Sequence, residues 1–126
     1  MKRPFFLVPP LGLMALAACT DGLICTTSVE PGVVVEIRDA ADDAPLAASA
    51  AGSVREGAFS DSLRPYGVTE SGALLSRAGA DERDGSYLVE VSHAGYVTWR
   101  QSDVRVSSDG CHVETAHLQA LLVPAP

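Results

Sequence analysis

The sequence predicts an all-β protein, a seven-stranded antiparallel β-sandwich that follows an N-terminal signal peptide. Three observations lead there. Short alternations of apolar and polar residues recur between Gly, Pro and Asp turns, the pattern of half-buried strands at close spacing. Beyond the first 18 residues no stretch keeps a helical period. Removing those 18 from the 126 leaves 108 residues, enough for one small sandwich and too few for a second core.

In chain order, residues 19–32 read as a tether and a first strand, ending at Pro31 and Gly32. Domain 33–124 then begins with Val33, Val35 and Ile37 alternating with Val34, Glu36 and Arg38, a strand buried on one side. Asp39 to Pro45 supplies a turn. Two short strands fit Ser53 to Ser62 around Gly57, Pro65 to Gly72 reads as loop, and Ala73 to Ala80 offers another strand before the acidic turn Asp81 to Gly85. Tyr87, Val89 and Val91 alternate with Leu88, Glu90 and Ser92. His93 to Gly95 turns the chain, Tyr96 to Trp99 forms a short return strand, Val104 and Val106 begin another, and Ser107 to Gly110 turns again. In Cys111 to Val123, Cys111 and Val113 share one parity while Leu118, Ala120 and Leu122 share the other, so a bulge or crossing is expected between them.

Residues 1–18 have the layout of an export signal. Lys2 and Arg3 make a basic start, and Phe5 to Ala18 is an uncharged, mostly apolar run. Pro9 and Pro10 interrupt that run, and it is too short for a comfortable permanent span. Leu16, Ala17, Ala18 and Cys19 resemble the bacterial lipobox, in which the cysteine thiol takes a diacylglyceryl group and the chain is cut before it. The resemblance implies lipidation at Cys19 and attachment to a membrane through acyl chains, each buried methylene contributing about 0.8 kcal/mol. Thr20 rather than Asp follows the cysteine, which implies the outer membrane where a cell has one.

Losing Lys2 and Arg3 with the signal leaves seven of the nine basic residues, all Arg, against 16 acidic ones, a formal charge of about −9. That balance repels phosphate backbones, and no basic stripe is present, so nucleic-acid binding is excluded as a function class. With Cys19 assigned to lipid, Cys25 and Cys111 remain, and an exported chain meets an oxidising compartment. Their pairing closes a long loop and is worth about 4 to 5 kcal/mol on the chain-entropy model. A zinc site from Cys111, His112, His117 and His93 is disfavoured, because 112 and 117 point to opposite faces of an extended strand. Asp39, Asp42 and Asp43, and likewise Asp81, Glu82 and Asp84, lack the alternating spacing of a calcium loop and read as solvated turns. No metal and no cofactor is expected.

Asp84, Gly85, Ser86 and Tyr87, then Val89, Val91, Gly95, Tyr96 and Trp99, spell D-G-x-Y-x-V-x-V-x-x-x-G-Y-x-x-W. This run resembles the carboxypeptidase regulatory-like domains, sandwiches of prealbumin/transthyretin-like topology; an Ig-like layout is the alternative for the same strands. The match is firm over 84–106. It implies a tyrosine packed at a corner and an accessory or binding module in place of a catalytic one.

No G-x-S-x-G elbow is present, and without lysine after residue 2 a serine–lysine dyad is impossible. Lysine-dependent isopeptide cross-links, found in related adhesin sandwiches, are excluded for the same reason. The Tyr-Arg-Gly-Ser ending of the prealbumin-like enzymes acting on a urate product is replaced by Val-Pro-Ala-Pro. The expectation is a non-enzymatic lipoprotein of the cell envelope, a structural or protein-interaction module. An enzyme would need a pocket joining a serine to His93, His112 or His117. The alternative function is a carbohydrate- or small-ligand-binding surface module that stacks its ligand on Tyr66 and Trp99, provided both are exposed together.

Overall fold

The alternating run at the start of the domain forms β1 (Val33–Asp39), and its inward side chains Val33, Val35 and Ile37 have no exposed surface. The computed structural model describes residues 24–126, and among them nine strands form two sheets of four and five. Cys19 and the signal lie outside the described residues. So does the start of the tether; its described part, 24–32, contains no strand, which corrects the first strand expected there.

β2 (Ala51–Glu56) and β3 (Phe59–Ser62) form a hairpin. Its loop is only two residues long, and Gly57 supplies the positive φ of 54° that such a turn requires. β4 (Arg64–Val68) pairs with β5 (Leu74–Gly79), where sequence alone indicated loop at 65–72. Pro65 and Gly67 hide this strand from a propensity reading, and β4 tolerates them because it lies at a sheet edge. The four-stranded sheet runs β4-β5-β1-β9, with β9 at Ala116–Leu122. The five-stranded sheet runs β3-β2-β6-β7-β8, with β6 at Gly85–Ser92, β7 at Trp99–Ser108 and β8 at Val113–Glu114.

Pairing is antiparallel except between β1 and β9, which run parallel from Val33 opposite Ala116 to Asp39 opposite Leu122. The expected wholly antiparallel, seven-stranded arrangement is corrected on both counts. The cause lies at Thr115. The chain leaves the five-stranded sheet after β8 and crosses to the other sheet, where it enters β9 from the end at which β1 begins. Thr115 Oγ1 donates to Pro31 O at 2.7 Å and Ala116 N to Gly32 O at 2.8 Å. This crossing is the parity change between Val113 and Leu118.

A second irregularity joins what the sequence presented as two strands. β7 is continuous, but Tyr87 faces Val104 while Val89 faces Gln101, so β7 carries one extra residue. Asp103 absorbs it with φ of 54°, as at a β-bulge. Trp99 and Val104, of opposite parity, thereby both turn toward the core.

The core draws on both sheets: Val33, Val35, Ile37, Ala120 and Leu122 from one, Val54, Tyr87, Val89, Val91 and Val104 from the other. Tyr87 fills the corner, its hydroxyl donating to Arg83 O at 2.7 Å and accepting from Arg83 Nη1 at 2.9 Å. The Arg83 guanidinium lies 3.9 Å from the Phe59 ring centroid and reaches Glu56 at 3.0 Å. Among the described residues no buried side-chain nitrogen or oxygen lacks a hydrogen-bond partner. Because Ile37 has no exposed surface, Ile37→Ala is expected to lower unfolding free energy by about 2 to 5 kcal/mol. Leu121→Ala, on the exposed side of β9, should change it by about 0.5 kcal/mol or less; urea unfolding of both checks the assignment of faces.

Candidate functional site

Three segments distant in sequence meet where β1 begins: residues 24–32, the turn at Ala80 to Asp84, and the turn at Asp109 to His112. Cys25 and Cys111 are joined there by a disulfide, 86 residues apart in sequence, with Cα atoms 5.1 Å apart. Asp109 shapes the second turn, its carboxylate accepting from the backbone N–H groups of Cys111 and His112, each at 2.9 Å. Those N–H bonds hold the Asp109 carboxyl below its ordinary pKa.

Beside the disulfide, Glu82 Oε1 meets His112 Nδ1 at 2.6 Å, and His112 Nε2 meets Thr26 Oγ1 at 2.9 Å. Glu82 also accepts from the backbone N–H of Glu30 at 2.8 Å, and its own backbone takes a φ of 49°. The Glu30 N–H, followed by His112, lowers the Glu82 pKa. Glu82 in turn raises that of His112.

Carboxylate, imidazole and hydroxyl thus stand in the order of a hydrolytic relay. The Glu82 carboxylate raises the His112 pKa, as the acidic member of such a relay also does. Thr26 Oγ1 is also bonded to Ser28 Oγ at 2.8 Å. A shallow, open concavity of about 450 Å³ lies nearby around Arg105, and none of the three relay residues lines it. The cluster is built as an ionic clasp holding the N-terminal segment to two turns.

At the other end of the sandwich Ser49 Oγ meets His93 Nε2 at 2.7 Å, and His93 Nδ1 meets Ala94 O at 2.8 Å. The His93 ring stands edge-on to Tyr96, with centroids 5.0 Å apart. The Tyr96 hydroxyl donates to Asp39, which also accepts from Ala41 N at 2.6 Å. The Tyr96 bond, then Ala41, holds the Asp39 carboxyl below its ordinary pKa.

These pairings leave the acidic turns with prior commitments: Asp39 to Tyr96 and its own turn, Glu82 to His112 and Glu30. His117 lies apart from both other histidines, exposed on β9. Among the described residues no group of three or more His, Cys, Asp or Glu side chains is placed to hold a metal ion.

Of the residues singled out from sequence, Cys25 and Cys111 are brought together, and Cys19 lies outside the described residues. Tyr66 and Trp99 are not brought together. Tyr66 lies half-exposed on β4 of the four-stranded sheet, whereas Trp99 begins β7 of the other sheet and packs against the core. Sequence reading missed the roles of Thr26, Glu82 and Arg105. For Arg105 a signal existed, because it alternates with buried Val104 and Val106. The union of Thr26, Glu82 and His112 depends on chain crossings that no local pattern encodes.

No family model matches the chain, and no curated protein matches it in sequence.

The clasp makes stability depend on pH. His112, its pKa raised, contributes fully below the unfolded value of 6.5 and loses that contribution as pH rises through its folded pKa. Glu82, its pKa lowered, contributes above 4.5 and loses that contribution as pH falls through its folded pKa. The stability difference between the native chain and Glu82→Gln should therefore be largest from about pH 4.5 to 6.5 and shrink toward pH 9. Denaturant unfolding across that range measures it; a gap that widened with pH would contradict the ionic clasp.

Proposed function

We propose that this chain is a non-enzymatic lipoprotein of the cell envelope, anchored through Cys19, whose carboxypeptidase regulatory-like sandwich serves as a structural or protein-interaction module. One observation carries the reading. The disulfide fastens Cys25, six positions after the lipobox cysteine, to the body of the domain at Cys111. Six residues reach at most about 21 Å, so an acylated Cys19 would hold the clasped end close to the bilayer surface. A disulfide of this kind also belongs to an oxidising compartment outside the cytoplasm.

The strands then carry the opposite end away from the membrane, by about 23 Å over the seven residues of β1. There Val97, Leu121 and Val123 remain 52%, 44% and 55% exposed, with Val97 N bonded to Val123 O at 2.9 Å. Adjacent exposed apolar side chains at the free end suit contact with another envelope protein. The residue after the lipobox cysteine, Thr20, favours the outer membrane where the cell has two.

Intact mass and detergent-phase partitioning of the full chain made in a bacterial host test this reading. The expected product begins at Cys19, carries acyl chains, is two hydrogens lighter for the disulfide, and enters the detergent phase. Cys19→Ser should stay unacylated and uncleaved at that site. Recovery of the native chain without lipid would refute the anchor.

A further inference from the structure

The end of the sandwich opposite the disulfide sets exposed apolar side chains beside acidic ones. Leu121 and Val123 flank buried Leu122 and point outward, and Val97 lies next to Val123 through its N–H bond to Val123 O. Ala40 and Ala41, exposed as well, run alongside, since Ala40 N donates to Leu122 O at 2.8 Å. Apolar side chains grouped in this way are the common mark of a contact surface.

The charge around them has one sign. Strand register sets Arg38 opposite Leu121, and the turn that follows β1 brings Asp42 and Asp43 next to both. Arg38 is bonded to Glu36 and lies 3.8 Å from the Asp43 carboxylate, so two acids share its single charge. The Asp43 side chain is 75% exposed, and Asp42 is exposed too. Glu70, exposed in the turn between β4 and β5, stands at the same end because β5 runs antiparallel to β1. The other arginines toward this end are committed elsewhere: Arg100 pairs with Glu90 on the outer face of the five-stranded sheet, and half-buried Arg77 donates to the carbonyls of Ala47 and Leu63.

We infer that this end docks a basic, partly apolar segment of another envelope protein, which seats its apolar side chains on Val97, Leu121 and Val123 and its Lys or Arg side chains against Asp42 and Asp43. The inference rests on the reading of the chain as an interaction module and names the chemistry of its partner. Burial of the three apolar side chains supplies affinity, and the acidic turn selects the partner by charge complementarity. A second copy of the chain fits less well, because a symmetric contact sets the same acidic turn against itself in a chain of formal charge −7. An anionic bilayer surface is repelled by the same turn.

Photo-crosslinking in the cells that produce the chain tests the assignment, with p-benzoylphenylalanine placed at position 97 and, for comparison, at position 68 on edge strand β4. Position 97 should capture a protein whose cross-linked peptide, sequenced by mass spectrometry, carries Lys or Arg beside apolar residues; position 68 should not. Leu121→Ala, nearly neutral for stability, should lower the yield of this adduct about tenfold, the loss expected for one buried leucine contact. Asp42→Asn with Asp43→Asn should lower it about fivefold, as two exposed charge contacts are lost, while Asn keeps the turn and tolerates the φ of 63° at position 43. No adduct at position 97, a cross-linked peptide from this chain itself or one without basic residues, equal capture from position 68, or yields unchanged in both variants would each overturn the proposal. The acyl mass of the same purified chain reports the anchor separately, so an unlipidated chain that still formed the adduct would refute the anchor alone.

Discussion

The parallel pairing of the first strand of the domain with its last closes the sandwich, and most other features follow from it. A parallel pair needs a long connection, and here that connection is nearly the whole domain, from Asp39 to Ala116. Bringing such distant segments together costs loop-closure entropy. The Cys25–Cys111 disulfide offsets that cost by tying the chain just outside the pair. The Thr115 and Ala116 bonds to Pro31 and Gly32 then fix the register at which β9 enters. A slip of one residue would turn Ala120 and Leu122 out to solvent and bring polar side chains inward.

The same closure gathers the titratable groups at one end. Glu82, His112 and Thr26 meet only because residues 24–32, the β5–β6 turn and the β7–β8 turn converge where β1 starts. Their geometry resembles a catalytic relay, and the same bonds tie residues 24–32 to the two turns. The carboxylate raises the imidazole's pKa, the hydroxyl is shared with Ser28, and the nearby hollow is lined by other side chains. Ser49 and His93 at the far end are likewise drawn into a turn, where Ala94, Tyr96 and Asp39 complete the hydrogen bonding. A hydroxyl and an imidazole are thus hydrogen-bonded at both ends of the sandwich.

Burial separates two kinds of surface. Edge strand β4, with Pro65 and Gly67, interrupts the regular array of donors that would invite edge-to-edge pairing. The outer face of the five-stranded sheet is rich in serine and arginine, and the end opposite the disulfide carries exposed Val97, Leu121 and Val123. These surfaces face different directions.

Much of this was written in local pattern. The alternation of Val33, Val35 and Ile37 and that of Tyr87, Val89 and Val91 specified buried strands, because a side-chain period of two leaves only one way to bury both valine and isoleucine. The cysteine count singled out the pair 25 and 111, and the parity change after Val113 announced a break. Local pattern was silent where long-range pairing overrode propensity: Pro65 and Gly67 became strand because β5 lay alongside, and Trp99 joined Val104 in one strand because a bulge at Asp103 corrected the parity. The sequence by itself determined which residues must be buried and that the two cysteines had a common fate. Only the tertiary structure decided that the last strand runs parallel to the first, that Glu82 holds His112, and that Arg105 stands unpaired in a hollow, since each depends on which distant segments the closed sandwich sets side by side.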